Sequence, residues 1–182
     1  MKNIIIDFMN GYSEQTVKDI TKFVGLITAK SFISVIDNLN LDANPRSSKT
    51  GAVTDAIQDT IENQPDLFPF MTKGILLAAS DYKVLEGNYI KIVPDDLKIE
   101  GILDGGHNTL AIGLYILKEA LHHNNEAMPT GSKKWDDFKR IWVAKRNPIT
   151  KYLEDSQKNN IDVLDFLIPV ELLVPRNIED FD

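Results

Sequence analysis

Cysteine is absent from this chain of 182 residues, and its absence excludes several kinds of chemistry. Without a thiol the chain can build no disulfide framework, iron–sulfur cluster, cysteine zinc site or cysteine nucleophile. The chain also lacks any apolar run close to the ~20 residues of a transmembrane helix. Its first residues run from Met1 through Ile6 into Asp7 and lack the apolar core of a signal peptide. We therefore expect a soluble, cytoplasmic protein with no membrane partner.

An excess of positive charge is missing as well. The chain carries 20 basic and 27 acidic residues, which gives a net charge of −7. Proteins that coat nucleic acid with their whole surface are basic, so any contact with DNA or RNA must be confined to a local patch. Hydrophobic residues make up 43% and charged residues 26%, which is typical of a globular protein with a sizeable core. The length predicts one domain, or one with a short appendage.

The spacing of apolar residues in the first part of the chain predicts a helix, a strand and a second helix. With Ser13 as the N-cap, apolar residues recur at helical intervals between Val17 and Ile27. Residues 31–39 are rich in β-branched side chains, which predicts a strand, and a polar loop follows over residues 42–51. The second helix ends before Pro65. Its apolar face consists of Val53, Ala56, Ile57, Thr60 and Ile61.

The remainder of the chain predicts both strands and helices. The predicted strands are 74–79, a hairpin over 84–93, 98–103 and 166–174, in which Pro169 indicates an edge or a bulge. A buried helix is predicted over 110–122, in which Gly113 allows a close neighbour. A second predicted helix has four aromatic or apolar residues on a single face, Trp135, Phe138, Ile141 and Trp142. A third, short helix has Asn147 as N-cap and Pro148 in its first turn. Residues 177–182 indicate the opening of another element, so we expect a fragment or a shortened protein. Together these elements predict an α+β (mixed α/β) fold, a mixed sheet flanked by helices.

The most informative stretch joins a strand, a double-glycine turn and a buried helix, from Ile102 to Thr109. A helix N-terminus leaves N–H groups unpaired and carries partial positive charge. Gly105 and Gly106 would let an anion approach that backbone closely, and phosphate is the natural guest. His107, Asn108 and Thr109 would add side-chain donors. The alternative is a glycine turn that only connects two core elements.

This stretch and three others resemble known families. The sequence Asp104-Gly105-Gly106-His107-Asn108 resembles the DGQHR motif of a domain family linked to DNA modification and phage defence. Asn44-Pro45-Arg46 before a helix, then Pro65-Asp66-Leu67-Phe68, then Lys73-Gly74-Ile75-Leu76-Leu77 are similar to the AIPR (abortive infection, phage resistance) family. The same order resembles the ParB/sulfiredoxin superfamily, in which an Asn-Pro-Arg box and a glycine-containing box at a helix start hold nucleotide phosphates. The resemblance covers roughly residues 44–121.

The resemblance implies a ParB/sulfiredoxin-like core and a nucleotide- or phosphate-binding module of a phage-defence protein. It divides the chain into residues 1–41, a helix and strand packed on the core, residues 42–125, the core itself, and residues 126–182, a helical segment and late strand that could continue in a longer protein. In the implied site Asp104 orients the turn, and Arg46 closes over the far side of the phosphate from a loop that Asn44 and Pro45 hold stiffly. The candidate cofactor is a nucleoside triphosphate with Mg²⁺.

The sequence departs from the families at three positions. The arginine that usually follows the histidine is Asn108. The asparagine–glycine pair at the strand start becomes Thr72-Lys73-Gly74, so Lys73 would partly restore the positive charge. Sulfiredoxins place their reactive cysteine inside the motif, where this chain has Gly106. Sulfiredoxin-type reductase activity is therefore excluded.

Two alternatives use other chemistry. Residues 133–146 hold six basic and two acidic residues with interleaved tryptophans, a pattern that predicts either a DNA- or RNA-binding patch or a solvated basic face over buried tryptophans. The six basic residues are Lys133, Lys134, Lys139, Arg140, Lys145 and Arg146. The second alternative is a metal-dependent nuclease centred on Asp104 and His107, for which no further ligands stand at a recognisable spacing. His122 and His123 point apart on a helix and fit a role at its C-terminus. Whether the chain is an enzyme stays open.

Overall fold

The computed structural model describes residues 3–44, 46–131 and 133–176, and it has the expected α+β fold. The strands are β1 (Ile4–Asp7), β2 (Met9–Val17), β3 (Ile20–Thr28), β4 (Ile75–Ala78), β5 (Asp81–Val84), β6 (Tyr89–Val93), β7 (Gly101–Asp104) and β8 (Leu167–Pro175). The helices are α1 (Ala29–Asn38), α2 (Ala52–Asn63), α3 (Phe68–Met71), α4 (Gly106–His123), α5 (Trp135–Ala144) and α6 (Arg146–Lys158). Pro45 of the predicted loop and the predicted element at residues 177–182 lie outside the described residues.

Two sheets form the framework. The larger one has the strand order β2-β3-β8-β4-β7, with β8 parallel to β4 and the other pairs antiparallel. The smaller one has the order β1-β6-β5 and is antiparallel. The larger sheet therefore combines strands from all three of the segments expected from the sequence.

The two faces of the larger sheet differ in what covers them. On one face a row of paired residues, Phe23, Leu172, Leu77 and Ile102, is almost completely buried among the core residues. Successive side chains on a strand point to opposite faces. The neighbouring row, Val24, Glu171, Leu76 and Asp104, therefore lies on the other face, where it is half-buried or exposed. This second face forms the floor of the groove described below.

The helix predicted after Ser13 is wrong, because this segment is the hairpin of β2 and β3. The chain turns at Lys18, whose φ is 53°, and Asp19. Buried positions in β3 alternate from Thr21 to Phe23 and on to Ile27 with a period of two. Several apolar residues here also satisfy a helical spacing, and pairing with β2 and β8 decides for the strand.

The strand predicted over residues 31–39 is also wrong, because this segment is helix α1. Its buried side chains, Phe32, Ile33, Val35 and Ile36, follow the helical period. The Thr28 side chain caps the helix by accepting a hydrogen bond from the Ser31 N–H at 3.1 Å. Burial of this face outweighs the modest preference of β-branched residues for strands.

Two smaller predictions need correction. The strand that contains Pro169 is central in the sheet and not at an edge. A proline is accommodated there because pairing with β4 begins only at Val170, so the missing N–H of Pro169 is not needed on that side. The helix predicted at Asn147 is capped by Lys145, begins at Arg146 and extends over thirteen residues.

The remaining element predictions are confirmed, with shifts of a few residues at the boundaries. They include α2, the hairpin of β5 and β6, and the buried helix α4. Gly113 lies against the ring of Phe138, where a Cβ atom would collide with it. No helix in the described part of the chain is both long and apolar enough to cross a membrane.

Candidate functional site

A groove of about 690 Å³ lies where the start of α4 meets α2 and the loop between α1 and α2. Eight of the nine predicted phosphate-site residues line it: Asn44, Arg46, Lys73, Asp104, Gly105, Gly106, His107 and Asn108. The structure thus brings together residues from three separate stretches of sequence.

The floor of the groove is built by close backbone contacts at the end of the sheet. Gly105 has a φ of 86° and Gly74 a φ of 85°, the left-handed region that favours glycine. A Cβ on Gly105 would lie 2.6 Å from the Gly74 carbonyl oxygen, and one on Gly74 would lie 2.6 Å from the Pro169 carbonyl oxygen. The side-chain amide of Asn108 donates to the Gly74 carbonyl oxygen at 3.1 Å. The turn before α4 is therefore fixed to the start of β4.

Gly106 is crowded from the side of the loop. A Cβ at this position would collide with the Ser48 hydroxyl and lie 3.1 Å from the amide nitrogen of Asn44. A valine at Gly106 would therefore disturb the loop as well as any ligand. The glycine lets the loop that carries Arg46 pack directly on the first turn of α4.

The backbone N–H groups at the start of α4 remain available. Within the described ranges no acceptor is found for the N–H groups of Gly106, His107 and Asn108. Thr109 differs, because its N–H and its hydroxyl both donate to the Gly105 carbonyl oxygen, at 2.8 and 2.9 Å. Thr109 is fully buried and does not line the groove, so we assign it to the helix cap and not to the ligand.

Two cations face the groove. The side-chain oxygen of Asn44 accepts a hydrogen bond from the Arg46 N–H at 2.9 Å, which tightens the loop and presents the arginine. Arg46 and Lys73 are both exposed. Within the part of the chain that the structure describes, neither side chain has a hydrogen-bond or ion-pair partner, so both are free to bind an anion.

The groove also contains two carboxylates. Asp104 is exposed, and one of its oxygens accepts the Gly105 N–H at 2.8 Å, in keeping with the predicted role of orienting the turn. Glu171 was missed by the sequence analysis, since nothing in the late strand distinguishes it from an ordinary outward-facing residue. It lies in β8, two strands from Asp104 in the same row, and pairs with Lys22 at 3.3 Å.

One wall of the groove is apolar. The apolar face of α2 turns largely into the groove, so that Val53 is 58% exposed while Ile61 is buried. Phe68, Met71 and Leu76 extend this wall. The groove therefore combines an end that carries Arg46 and Lys73 with an apolar side.

The basic run at residues 133–146 is mostly engaged within the protein. Trp135, Phe138 and Trp142 are buried, as the second interpretation of the run predicts. The Lys139 ammonium donates to the Ile36 and Leu39 carbonyl oxygens at the C-terminus of α1. Burial lowers the pKa of Lys139, and nearby Asp37 only partly offsets that effect.

The other cations of the run have partners too. Arg146 binds both carboxylate oxygens of Asp37, at 2.9 to 3.2 Å, and the Lys145 ammonium lies 2.6 Å from Glu126. The remaining contacts are Arg140 with Asp137 and the Lys133 ammonium with the Gly131 carbonyl oxygen. Of the six basic residues of the run, only Lys134 has a side chain with no hydrogen bond or ion pair among the described residues. This arrangement disfavours the run as a nucleic-acid interface.

Neither histidine-containing region supports a metal site. Across the described ranges there is no group of three or more histidine, aspartate or glutamate side chains that could hold a metal ion. His123 instead lies 2.9 Å from Asp155. The hydrogen bonds from His123 and Lys151 lower the pKa of Asp155 to about 2. The metal-dependent nuclease centred on Asp104 and His107 gains no support from this geometry.

The comparison with protein families points to the same region of the chain. The model of the AIPR protein family matches residues 41–128, just under half of the chain. This segment is similar to the AIPR family. It runs from the Arg46 loop through α2 and β4 to α4, and it contains every groove residue named above except Glu171. No curated protein and no solved structure matches the chain.

Proposed function

We propose that the groove at the start of α4 binds the phosphate groups of a nucleotide, in a phage-defence protein of the AIPR type. One observation carries the proposal. Arg46 and Lys73, which have no side-chain partner among the described residues, line the same groove as the N–H groups of α4 that lack an acceptor there, although the two cations come from separate parts of the chain. Convergence of charged and backbone donors is what an anion-binding site requires.

The proposal assigns a role to each group. The N–H groups of Gly106, His107 and Asn108 donate to phosphate oxygens, and Arg46 binds them from the loop as a planar, permanently charged group. Lys73 adds a second charge from the start of β4. A ParB/sulfiredoxin-like core, a DGQHR-like motif and a cytoplasmic location belong to this proposal as well.

The residues present fit a magnesium nucleotide only in part. Asp104 supplies a carboxylate oxygen of the kind that Mg²⁺ prefers, and Mg²⁺ bound to a nucleotide needs only one or two protein carboxylates besides phosphate and water. Asp104 is therefore the residue that would hold the ion beside the phosphates. Bound Mg²⁺ would neutralise phosphate charge in this groove.

A binding screen tests the proposal. Ribonucleoside mono-, di- and triphosphates are screened by thermal shift with and without Mg²⁺, and the best ligand is then titrated by calorimetry at fixed salt. We expect Arg46→Ala to lower its affinity about tenfold, the minimum loss for a hydrogen bond to a charged group. Arg140→Ala, which removes an exposed arginine of α5, is the matched control and should change nothing. Equal affinities of the two variants, or no ligand in the screen, would contradict the proposal.

A further inference from the structure

We propose that Glu171 makes the groove selective for nucleotides over inorganic phosphates, by accepting a hydrogen bond from the uncharged part of the ligand. This inference rests on the proposed function, since it concerns the same groove. Glu171 lies outside the segment that matches the AIPR family. It belongs to β8, which the family model does not reach.

The position of Glu171 separates it from the phosphate end. Glu171 in β8 pairs with Leu76 in β4, and Leu76 pairs with Asp104 in β7. Neighbouring strands lie about 4.8 Å apart, so Glu171 is roughly 10 Å across the sheet from Asp104 and the adjacent turn. A ligand that reaches both positions must extend well beyond its phosphate group.

The chemistry of Glu171 excludes a bare anion as its partner. An ionised carboxylate only accepts hydrogen bonds, and it repels phosphate oxygens. Lys22 lies 3.3 Å from one of its oxygens, Oε1, but both side chains are more than one-third exposed. No donor within the described residues reaches the other oxygen, Oε2. Glu171 is thus free to accept from a sugar hydroxyl or a base amino group.

The apolar wall supplies the third part of the recognition. Val53 and Met71 are 58% and 61% exposed although they line a concave surface, and Ala56 and Ile57 lie on the same side of α2. An inorganic phosphate would leave these side chains in water. A nucleotide base that packs against them would bury apolar area, which favours binding. A phosphate, hydrogen-bond donors and an aromatic ring are the three parts of a nucleotide.

The experiment compares ligands that share one anionic group. Pyrophosphate and the diphosphates ADP, GDP, CDP and UDP are titrated by calorimetry into wild type, Glu171→Gln and Lys22→Gln. We expect wild type to prefer at least one nucleoside diphosphate over pyrophosphate. Glu171→Gln should weaken that nucleotide about tenfold, while pyrophosphate binding stays the same or strengthens because a negative charge is removed. Lys22→Gln removes the same ion pair but keeps the carboxylate, and it should leave the nucleotide affinity within about twofold.

A second pair of variants tests the apolar wall. Ala56→Trp fills the apolar side of the groove from an exposed helix position, and it should lower the nucleotide affinity at least about tenfold while pyrophosphate still binds. Ala144→Trp adds the same side chain to an exposed position on α5, outside the groove, and should have no effect on either ligand.

The outcomes separate this inference from the proposed function. If wild type binds pyrophosphate as tightly as every nucleoside diphosphate, or if Glu171→Gln changes both ligands alike, the selectivity role of Glu171 is wrong and the phosphate site stands. If Lys22→Gln weakens the nucleotide as much as Glu171→Gln does, the ion pair and not the carboxylate matters, and the inference also fails. If wild type binds neither pyrophosphate nor any nucleotide, the proposed function itself is wrong.

Discussion

Replacement of Gly105 by alanine is the most direct test of how the turn before α4 is built. Two costs arise at this position. The left-handed backbone conformation, with a φ of 86°, costs an alanine about 1 kcal/mol. In addition, the new Cβ would lie 2.6 Å from the Gly74 carbonyl oxygen and 3.0 Å from the Ile75 Cα atom. Both are backbone atoms that cannot rotate away, so their displacement costs about 2 kcal/mol more.

The control for this variant is Gly131→Ala. Gly131 has a φ of 94°, but a Cβ there meets nothing within 4 Å, so only the conformational cost of about 1 kcal/mol applies. Urea denaturation measures the free energy of unfolding of both variants and wild type. The expected total loss of about 3 kcal/mol for Gly105→Ala corresponds to a fall in Tm of about 6–12 °C for a chain of this size. Equal losses in the two variants would refute the close contact between the turn and the start of β4.

Two further predictions concern charged groups that the fold has buried partly, Lys139, or almost completely, Glu100. Lys139→Met should lower the free energy of unfolding by about 1–2 kcal/mol, because the carbonyl groups at the C-terminus of α1 lose their donor. Arg140→Met, at an exposed position, should change it by less than about 0.5 kcal/mol. Equal effects of the two variants in urea denaturation would contradict the role of Lys139 as a donor to these carbonyl groups. The Glu100 carboxylate accepts the backbone N–H groups of Ser80, Asp95 and Asp96. Burial alone would raise the pKa of Glu100, but these hydrogen bonds outweigh it and hold the pKa below its ordinary value of 4.5. The stabilisation that the carboxylate contributes is therefore present above pH 4.5 and is lost as the pH falls through the lowered pKa. Glu100→Gln should lower the free energy of unfolding by about 1–3 kcal/mol at neutral pH and by less in acid. A loss that is the same at both pH values would contradict the stabilising role of the ionised carboxylate.

The fold could be predicted from the sequence where the pattern of residues fitted a helix or a strand but not both. The long apolar stretch of α4 and the turn residues between β5 and β6 each favour a single structure, and both predictions are confirmed. Residues 13–39 fit both periods, and the choice depends on partners that are distant in the chain. β3 becomes a strand because β8, far along the chain, pairs with all nine of its residues. α1 becomes a helix because its apolar face is buried in the core.

The candidate site shows a similar division. Glycine turns and a helix start are local signals, so the residues around Gly105 could be identified from the sequence alone. Glu171 carries no local signal, since its position in the groove follows from the order of strands in the sheet. The basic run could not be interpreted from the sequence for the same reason, because charge in a sequence does not show which carboxylates or carbonyl groups lie opposite it. Asp37, which neutralises Arg146, is distant from it in sequence. Glu126, which neutralises Lys145, is separated from it by a loop.

The start of the basic run nevertheless contributes to the groove, through its backbone and not through its charge. The Thr50 N–H donates to the Lys133 carbonyl oxygen at 2.8 Å, and the Lys133 N–H donates to the Thr50 hydroxyl at the same distance. The Trp135 N–H donates to the Ser48 carbonyl oxygen at 3.1 Å. These hydrogen bonds hold the loop that presents Arg46. Lys133 and Trp135 both lie beyond the segment similar to the AIPR family, which ends at residue 128. The end of the groove that carries Arg46 therefore depends on the later part of the chain for the position of this arginine, just as the opposite end depends on β8 for Glu171.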